Sequence, residues 1–260
     1  VLVLIPGVGE VRFGARRWFD LGVTLVQPSE FAKLAFIFAL ADFLTRPSDE
    51  MFMPGVFVKA IGMTALPFLL ILKEPDLGSS LVFFPIGTAM MFVAGVPLRF
   101  LGKFLGFSSV LVLLVIINVL YAPADWRIPL NEYQRHRLLV FFNKDFASAD
   151  ATPAERKEAR ELQRSRTHNI RQAEISVGSG GLMGKGWGQG PQTRLGYLPK
   201  GVAHNDFIFS VISEETGFLG SMAVLSLYAI LLLKGMQIAD QARDRLGKLL
   251  AVGVVAMIFC

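Results

Sequence analysis

Residues 77–98 read LGSSLVFFPIGTAMMFVAGVPL, a run of 22 positions without a charged side chain. Residues 104–124 read FLGFSSVLVLLVIINVLYAPA and are uncharged over 21 positions. A helix needs about 20 apolar residues to cross a hydrocarbon layer of about 30 Å. Both runs are therefore predicted to form membrane-spanning helices, at about 77–98 and 104–121.

The composition of the whole chain is that of a membrane protein. Hydrophobic residues make up 53% of the 260 residues and charged residues only 18%, and the mean hydropathy is +0.50. Water-soluble domains carry about 25% charged residues. This balance excludes a disordered chain and a basic nucleic-acid-binding tail, so no nucleic acid partner is predicted. Cys260 is the only cysteine, which excludes an intrachain disulfide.

Apolar segments continue on both sides of these two runs. The further predicted spans are at about 28–44, 54–72 and 206–234, with the start of another at about 246–260. Val1–Ile5 has the composition of the tail of an earlier span, so both ends look cut and an internal fragment of a longer protein is expected. The predicted fold class is an all-α polytopic membrane protein, with membrane regions over 1–121 and 206–260.

Charges in the short loops predict how the spans run. When the spans alternate in direction, Arg46, Arg99, Lys103 and the basic residues after the long span share one face. The positive-inside rule makes that face cytoplasmic. The opposite, external face then carries a large loop over 122–205. Within it, a capping box with proline at the first helical position predicts an amphipathic helix over about 153–175.

Four polar clusters that are distant in sequence fall on the predicted external face. They are GARRW at 14–18, QPSE at 27–30, EPDLG at 74–78 and HND at 204–206. Because they converge on one side of the bilayer, a functional site is expected there.

These clusters belong to longer motifs that match a known family in the same order. The motifs are GARRW at 14–18, QPSEFAK at 27–33, PDLGS at 75–79, GSGGLMGKGW at 178–187, HNDFIF at 204–209 and the pair Glu214-Glu215. On these residues the chain resembles the SEDS proteins (RodA, FtsW and SpoVE) over essentially its whole length. The segment GWGQGPQ at 186–192 is more similar to RodA than to FtsW, whereas Asn205 stands where the family usually has threonine.

The resemblance implies a SEDS-type bundle of ten helices, of which this chain covers the end of the third to part of the ninth. It implies a glycosyltransferase of the bacterial cytoplasmic membrane that polymerises lipid II into peptidoglycan strands on the external face, in cell elongation or division. The implied partners are a class B penicillin-binding protein and membrane lipids. A divalent cation, Mg²⁺ or Mn²⁺, at the pyrophosphate is also implied, with Asp206 or Asp76 helping to hold it, and no organic cofactor is expected.

Glycan polymerisation needs a base for the acceptor hydroxyl and positive charge for the departing pyrophosphate. Asp206 is the candidate base. It lies where the external loop re-enters the membrane, close to His204, and it matches the family's essential external-loop aspartate. The alternative interpretation is a helix N-cap, a position that aspartate favours.

Three residues near the external ends of other spans are predicted to support this site. Glu30 and Lys33 are three residues apart on one helical face, so they can form a structural ion pair or line a cavity. Asp76 precedes Gly78-Ser79-Ser80, which favours a helix cap, with orientation of the site as its second role.

Glu214 and Glu215 are also predicted to support the site, about two helical turns beyond Asp206. Adjacent residues do not share a helix face, so at most one of the two carboxylates is expected to point toward Asp206. The other then needs an arginine, a lysine or water.

Basic and polar residues of the external segments are the candidates for contact with pyrophosphate or sugar. They are Arg17, Trp18, Arg135, Arg137, Lys185, Gln189 and Arg194. Arginine suits bidentate phosphate contact. The alternative interpretation is a solvated or headgroup-facing charge for each cation, and interfacial anchoring for Trp18. The three histidines are isolated in sequence, so spacing predicts no metal site, and a divalent cation is expected only near Asp206.

Two other functions remain alternatives at this level. A flippase for lipid-linked precursors would use intramembrane charges such as Glu30 and Lys33 as a polar pathway, but it needs polar features on both faces. A scaffold that positions a penicillin-binding partner is an added role, because a scaffold alone gives no reason for buried carboxylates.

Overall fold

A computed structural model of the protein describes residues 10–12, 15–20, 25–74, 76–122, 126, 138–139, 141–142, 153–195, 197 and 207–260. The chain divides into two units. The first unit is Val1–Gly106 with Ala229–Cys260, and the second unit is Phe107–Tyr228.

Three short strands precede the first helix: β1 (Glu10–Arg12), β2 (Ala15–Asp20) and β3 (Leu25–Val26). They form an antiparallel sheet in the order β1-β2-β3, with Glu10 opposite Trp18 and Phe19 opposite Val26. The all-α prediction omitted this sheet. β1 and β3 are too short for an alternating pattern to be recognised, and the six residues of β2, ARRWFD, do not alternate between polar and apolar.

Helices make up most of the rest of the described chain. The helices are α1 (Pro28–Leu44), α2 (Pro54–Leu72), α3 (Leu77–Leu81), α4 (Phe83–Val93), α5 (Leu98–Tyr121), α6 (Pro153–Ser179), α7 (Pro191–Arg194), α8 (Ile208–Gln241) and α9 (Arg245–Phe259). The bounds of α1 and α2 coincide with the predicted segments, and both helices begin with proline, whose fixed φ suits a first helical position. Helix α6 continues past residue 175 to Ser179, where the glycine-rich segment begins.

The predicted span at 77–98 is helical from Leu77 to Val93, as α3 and α4 on either side of Val82. The dihedral angles of Val82 (φ −62°, ψ −27°) are helical, so the backbone stays helical between the two. Pro85 has no N–H to donate to the carbonyl of Leu81, so one helical hydrogen bond is missing at this point. The turn toward α5 comes at 94–97 and uses Gly95 at φ 89°, so Arg99 and Lys103 lie inside α5 rather than in a loop before residue 104.

The two last helices also differ from the predicted bounds. Helix α8 begins at Ile208 and extends past residue 234 to Gln241, and Lys234 donates to Gln237 (3.0 Å) on its surface. Helix α9 begins at Arg245, and the side chain of Asp244 accepts the amide N–H of Gly247 (2.9 Å) as its N-cap.

Three of the described helices, α2, α5 and α8, are long and apolar enough to cross a membrane. Their apolar side chains face outward: Val110, Leu113 and Leu231 are each more than half exposed. Such exposure is unfavourable in water and favourable in hydrocarbon. The described surface is therefore that of a helical membrane protein.

Helices α1, α2, α4 and α9 pack together in the first unit. The centre of this core is fully apolar and includes Leu40, Ile86, Met90 and Leu249, each at most 1% exposed. Helix α9 approaches closely at Gly253, where a β-carbon would lie 2.6 Å from Ile37 Cγ2 and 3.0 Å from Met90 Sδ. Glycine is required there because the backbone of one helix rests on the side chains of two others.

Gly253→Val is therefore expected to lower the free energy of unfolding by about 1–3 kcal/mol through overpacking. The measurement is thermal unfolding in detergent, followed by helical circular dichroism. The matched control is Gly102→Val, since a β-carbon at Gly102 in α5 meets nothing within 4 Å. Equal losses in the two variants would mean that valine propensity, not packing, sets the effect.

Candidate functional site

The residues directly before α1 and α3 meet through their side chains. Gln27 Nε2 donates to Asp76 Oδ2 (3.1 Å). Asp76 also accepts the amide N–H of Ser79 at Oδ1 (3.1 Å) and the hydroxyl of Ser79 at Oδ2 (2.9 Å). Asp76 is 8% exposed and caps α3, as the sequence favours. Two of the four polar clusters, at 27–30 and 74–78, therefore come together.

An ion pair lies one turn further along α1. Lys33 Nζ is 2.8 Å from Glu30 Oε2, with the lysine side chain 13% exposed and the glutamate 56%. The interaction is the ion pair that the three-residue spacing predicts. Beside it, Ser29 is buried, and its hydroxyl has no hydrogen-bond partner among the residues that the structure describes. This end of α1 thus combines a paired charge with an unused hydroxyl.

Asp76→Ala is expected to destabilise the protein by about 1 kcal/mol through loss of the cap. Asp76→Asn keeps an oxygen that accepts from the Ser79 amide, so it is expected to lose much less stability. Melting temperatures of the two variants in detergent are the measurement. If asparagine proves as damaging as alanine, the negative charge rather than the cap is what the fold needs.

Helix α8 is broken at Gly217, which has φ 70° and ψ −165°. The break removes the helical bonds that Phe218 and Leu219 would make to Glu214 and Glu215, and it leaves four backbone groups to be satisfied. The glycine-rich segment 180–190 satisfies all of them. The amides of Lys185 and Gly186 donate to the carbonyls of Glu214 and Glu215 (3.0 Å each), and the amides of Phe218 and Leu219 donate to the carbonyls of Gly181 (2.8 Å) and Leu182 (3.2 Å).

The carboxylate of Glu214 lies under this segment and is fully buried. Its oxygens accept from Ser176 Oγ (3.1 Å), the amide of Gln192 (3.2 Å) and Lys185 Nζ (3.5 Å), with Ser179 Oγ also at 3.5 Å. Burying a charge is costly unless it is paired and hydrogen-bonded. Lys185 and the Gln192 amide meet that need, with the Ser176 hydroxyl, which can donate to the carbonyl of Ser210 instead (3.1 Å). Glu214 thus joins α6, the glycine-rich segment and α8.

Glu215 contacts the same segment at a different place. Its Oε1 accepts the amide N–H of Gly188 (3.0 Å). Both carboxylates therefore bind the glycine-rich segment at different places. That at most one of them points toward Asp206 stays a prediction, because Asp206 lies outside the described residues.

Glycines allow this close contact. A β-carbon at Gly184 would lie 2.2 Å from the carbonyl oxygen of Glu215, and one at Gly180 would lie 2.1 Å from that of Ser213. Gly190 leaves room for the Glu214 carboxylate, since a β-carbon there would be 2.5 Å from Oε2. These glycines thus allow the segment to pack closely on α8.

Of the remaining predicted residues, four are described by the structure and four are not. Arg194 is exposed and donates from Nη1 to Gln189 Oε1 (3.3 Å), so these two candidates come together. Trp18 is half-buried in β2, and Arg17 lies beside it in the same strand. Four predicted residues lie outside the described residues: Arg135, Arg137, His204 and Asp206.

Several residues of these contacts were not singled out from the sequence. Gln27 and Ser79 belong to quoted motifs, and the pattern Asp-x-x-Ser is a recognisable cap signal. Ser176 and Gln192 give no signal, because their partner Glu214 is distant in sequence. Over the described ranges, no three side chains of His, Cys, Asp or Glu gather in a way that could hold a metal ion.

Comparisons with known proteins assign the chain to a family. Residues 1–260 match the family FtsW/RodA/SpoVE, described as cell cycle proteins. The chain is 31% identical over 259 residues to peptidoglycan glycosyltransferase MrdB of Escherichia coli (strain K12), covering 100% of this chain and 62% of that protein. It is 39% identical over 263 residues to stage V sporulation protein E of Bacillus subtilis (strain 168), covering 99% and 63%.

Solved structures agree. A chain of a peptidoglycan synthase complex that coordinates polymerization and crosslinking superposes with a TM-score of 0.68 at 27% identity, over 98% of this chain and 63% of that chain. The rod shape determining protein RodA of Thermus thermophilus gives a TM-score of 0.53 at 27% identity, over 98% and 58%. The chain thus spans about three fifths of the length of the proteins it matches. With the family match over the whole chain and the helical membrane fold, the protein belongs to the FtsW/RodA/SpoVE (SEDS) family.

Proposed function

We propose that this protein is a peptidoglycan glycosyltransferase that polymerises lipid II on the external face of the bacterial cytoplasmic membrane. The observation that carries the proposal is the family match over all 260 residues, together with relatives such as MrdB that bear this activity in their names. The meeting of the 27–30 and 74–78 clusters supports it, because both were predicted on the external face.

The reaction joins a sugar hydroxyl to an anomeric carbon that carries a polyprenyl pyrophosphate. A carbon–oxygen bond forms from the hydroxyl, the bond from the anomeric carbon to the pyrophosphate oxygen breaks, and the hydroxyl proton passes to a base. We assign the base to Asp206. Cations near the leaving group stabilise its developing charge.

Among the cations, the described contacts favour Arg194 over Lys185. Lys185 neutralises the buried carboxylate of Glu214, whereas Arg194 is exposed and bonds the neutral amide oxygen of Gln189. We therefore propose Arg194 as a pyrophosphate ligand and Lys185 as a structural cation. Ser29, Glu30 and Lys33 are proposed to line the site from α1, since the Ser29 hydroxyl is unpaired in the described part of the chain.

A divalent cation remains part of the proposal only at Asp206. The surroundings of Asp76 do not fit a metal ligand, because Gln27 and Ser79 already donate hydrogen bonds to both of its oxygens. A class B penicillin-binding protein is proposed as the partner, on the model of the synthase complex that this chain resembles.

The test is polymerisation of lipid II by the purified protein in proteoliposomes, with and without the penicillin-binding partner, read as glycan length on gels. Translocation of a fluorescent lipid II across the same vesicles is measured in parallel. Formation of a glycan polymer without an added polymerase supports the proposal. Translocation without polymer overturns it in favour of the flippase.

A further inference from the structure

An apolar cleft separates the first turns of α2 and α5 in the first unit. It has a volume of about 310 Å³ and is lined by Phe57, Val58, Ile61, Phe100, Lys103 and Phe104. Aromatic rings bridge the two helices beside it. Phe57 stacks on Phe100 with ring centroids 5.5 Å apart and meets Phe104 edge-on at 6.3 Å.

The cleft combines apolar walls with positive charge. Lys103 is the charged residue of its lining, and no ion pair of Lys103 occurs within the described ranges. Arg99 lies over the ring of Phe100 at 5.0 Å, and Lys59 is an exposed neighbour of Val58 in sequence. No acidic side chain lines the cleft. An anion is therefore the complementary ligand.

The apolar walls of the cleft determine the apolar part of the ligand. Val58 is 65% exposed, and the four lining residues other than Val58 and Lys103 are all aromatic or aliphatic. A pocket of this volume is at the small end of the range of about 300–1,000 Å³ for ligand sites, enough for part of one acyl chain. An apolar helix of a partner protein would leave Lys103 unpaired at the edge of the hydrocarbon, which is unfavourable.

We propose that this cleft binds an anionic glycerophospholipid, with an acyl chain against Phe57 and Phe104 and the phosphate at Lys103. Basic pockets between membrane helices on the cytoplasmic side are suited to anionic headgroups. The sequence prediction assigns the first turns of α2 and α5 to that side. The site is distinct from the proposed polymerase site and does not depend on that function.

The experiment is native mass spectrometry of the whole protein with equimolar dioleoyl-phosphatidylglycerol and dioleoyl-phosphatidylcholine. The wild-type protein is expected to retain phosphatidylglycerol preferentially. Lys103→Gln is expected to weaken the binding of the first phosphatidylglycerol molecule about fivefold, which is the effect of about one surface cation. The binding of phosphatidylcholine is expected to be unchanged. Val58→Trp fills the cleft without changing its charge and is expected to weaken the binding of phosphatidylglycerol as well.

The matched control is Lys234→Gln, which removes an exposed lysine that bonds Gln237 away from the cleft. It is expected to bind phosphatidylglycerol as the wild type does. An equal loss in Lys234→Gln would mean diffuse attraction and would overturn the proposal. So would unchanged binding in Lys103→Gln, or no preference between the two lipids in the wild type. Lys103 is exposed, so its variant tests the proposal even if Val58→Trp folds poorly.

Discussion

Asp206→Asn is expected to lower the rate of lipid II polymerisation by at least about a hundredfold, the contribution of a positioned general base. Asparagine keeps the size and the hydrogen-bonding oxygen of aspartate, but it does not take up a proton at neutral pH. It is also as good an N-cap as aspartate. This substitution therefore separates the two interpretations of Asp206, because a capping role survives it and a base does not.

The measurement is the initial rate of glycan formation from lipid II in proteoliposomes, at matched protein density. Melting temperature and the amount of inserted protein are recorded for each variant and are expected to be unchanged. Asp240→Asn is the control. Asp240 is a strongly exposed carboxylate near the end of α8, and its contact with Lys248 is long at 4.0 Å. Polymerisation at the wild-type rate by Asp206→Asn would remove Asp206 from the chemistry and leave it as a helix cap.

Local signals in the sequence predict the simple helices well and the interrupted ones poorly. Helices α1 and α2 follow from apolar length and a leading proline, and both have the predicted bounds. The run at 77–98 starts as predicted but its helix ends at Val93, because Gly95 at φ 89° turns the chain and Pro97 directly precedes the first residue of α5. Hydrophobicity alone does not distinguish these turn residues from the helix before them.

The break in α8 was beyond local reasoning for a different reason. A single glycine within an apolar helix usually costs about 1 kcal/mol and does not interrupt it. Gly217 adopts a left-handed conformation because the segment 180–190 satisfies the backbone groups that the break exposes. That partner lies about thirty residues earlier in the chain, and neither segment shows by its own composition that the other will pair with it.

The same non-local pairing changes the interpretation of the candidate site. Lys185 was predicted to meet pyrophosphate because it is a cation among glycines. The structure instead brings its ammonium group to the buried Glu214, and the nearby glycines allow backbone contact. In a membrane protein, irregular backbone is tolerated where other protein groups satisfy it. The glycine-rich segment and the start of α8 are therefore packed together as one structural unit.

Glu214→Ala is expected to lower the free energy of unfolding by about 1–3 kcal/mol, because the part-buried amide of Gln192 loses its acceptor. The Ser176 hydroxyl loses its bond to the carboxylate but keeps the carbonyl of Ser210 as an acceptor at 3.1 Å. Lys185 also loses its partner, but its side chain is 33% exposed, so water compensates for much of that loss. The loss is expected to loosen the glycine-rich segment before the rest of the protein unfolds.

Thermal unfolding gives the global effect, and hydrogen exchange at the amides of Lys185, Gly186 and Gln192 gives the local one. Exchange at these positions is expected to accelerate in Glu214→Ala, while amides of α9 in the first unit keep their protection. Glu174→Ala is the matched control, since Glu174 is an exposed glutamate of α6. Lys185→Met should cost less than Glu214→Ala, because it leaves the Ser176 and Gln192 bonds in place. Unchanged exchange in Glu214→Ala would mean that the four backbone bonds around Gly217 hold the segment by themselves and that the carboxylate only fills the space beneath it.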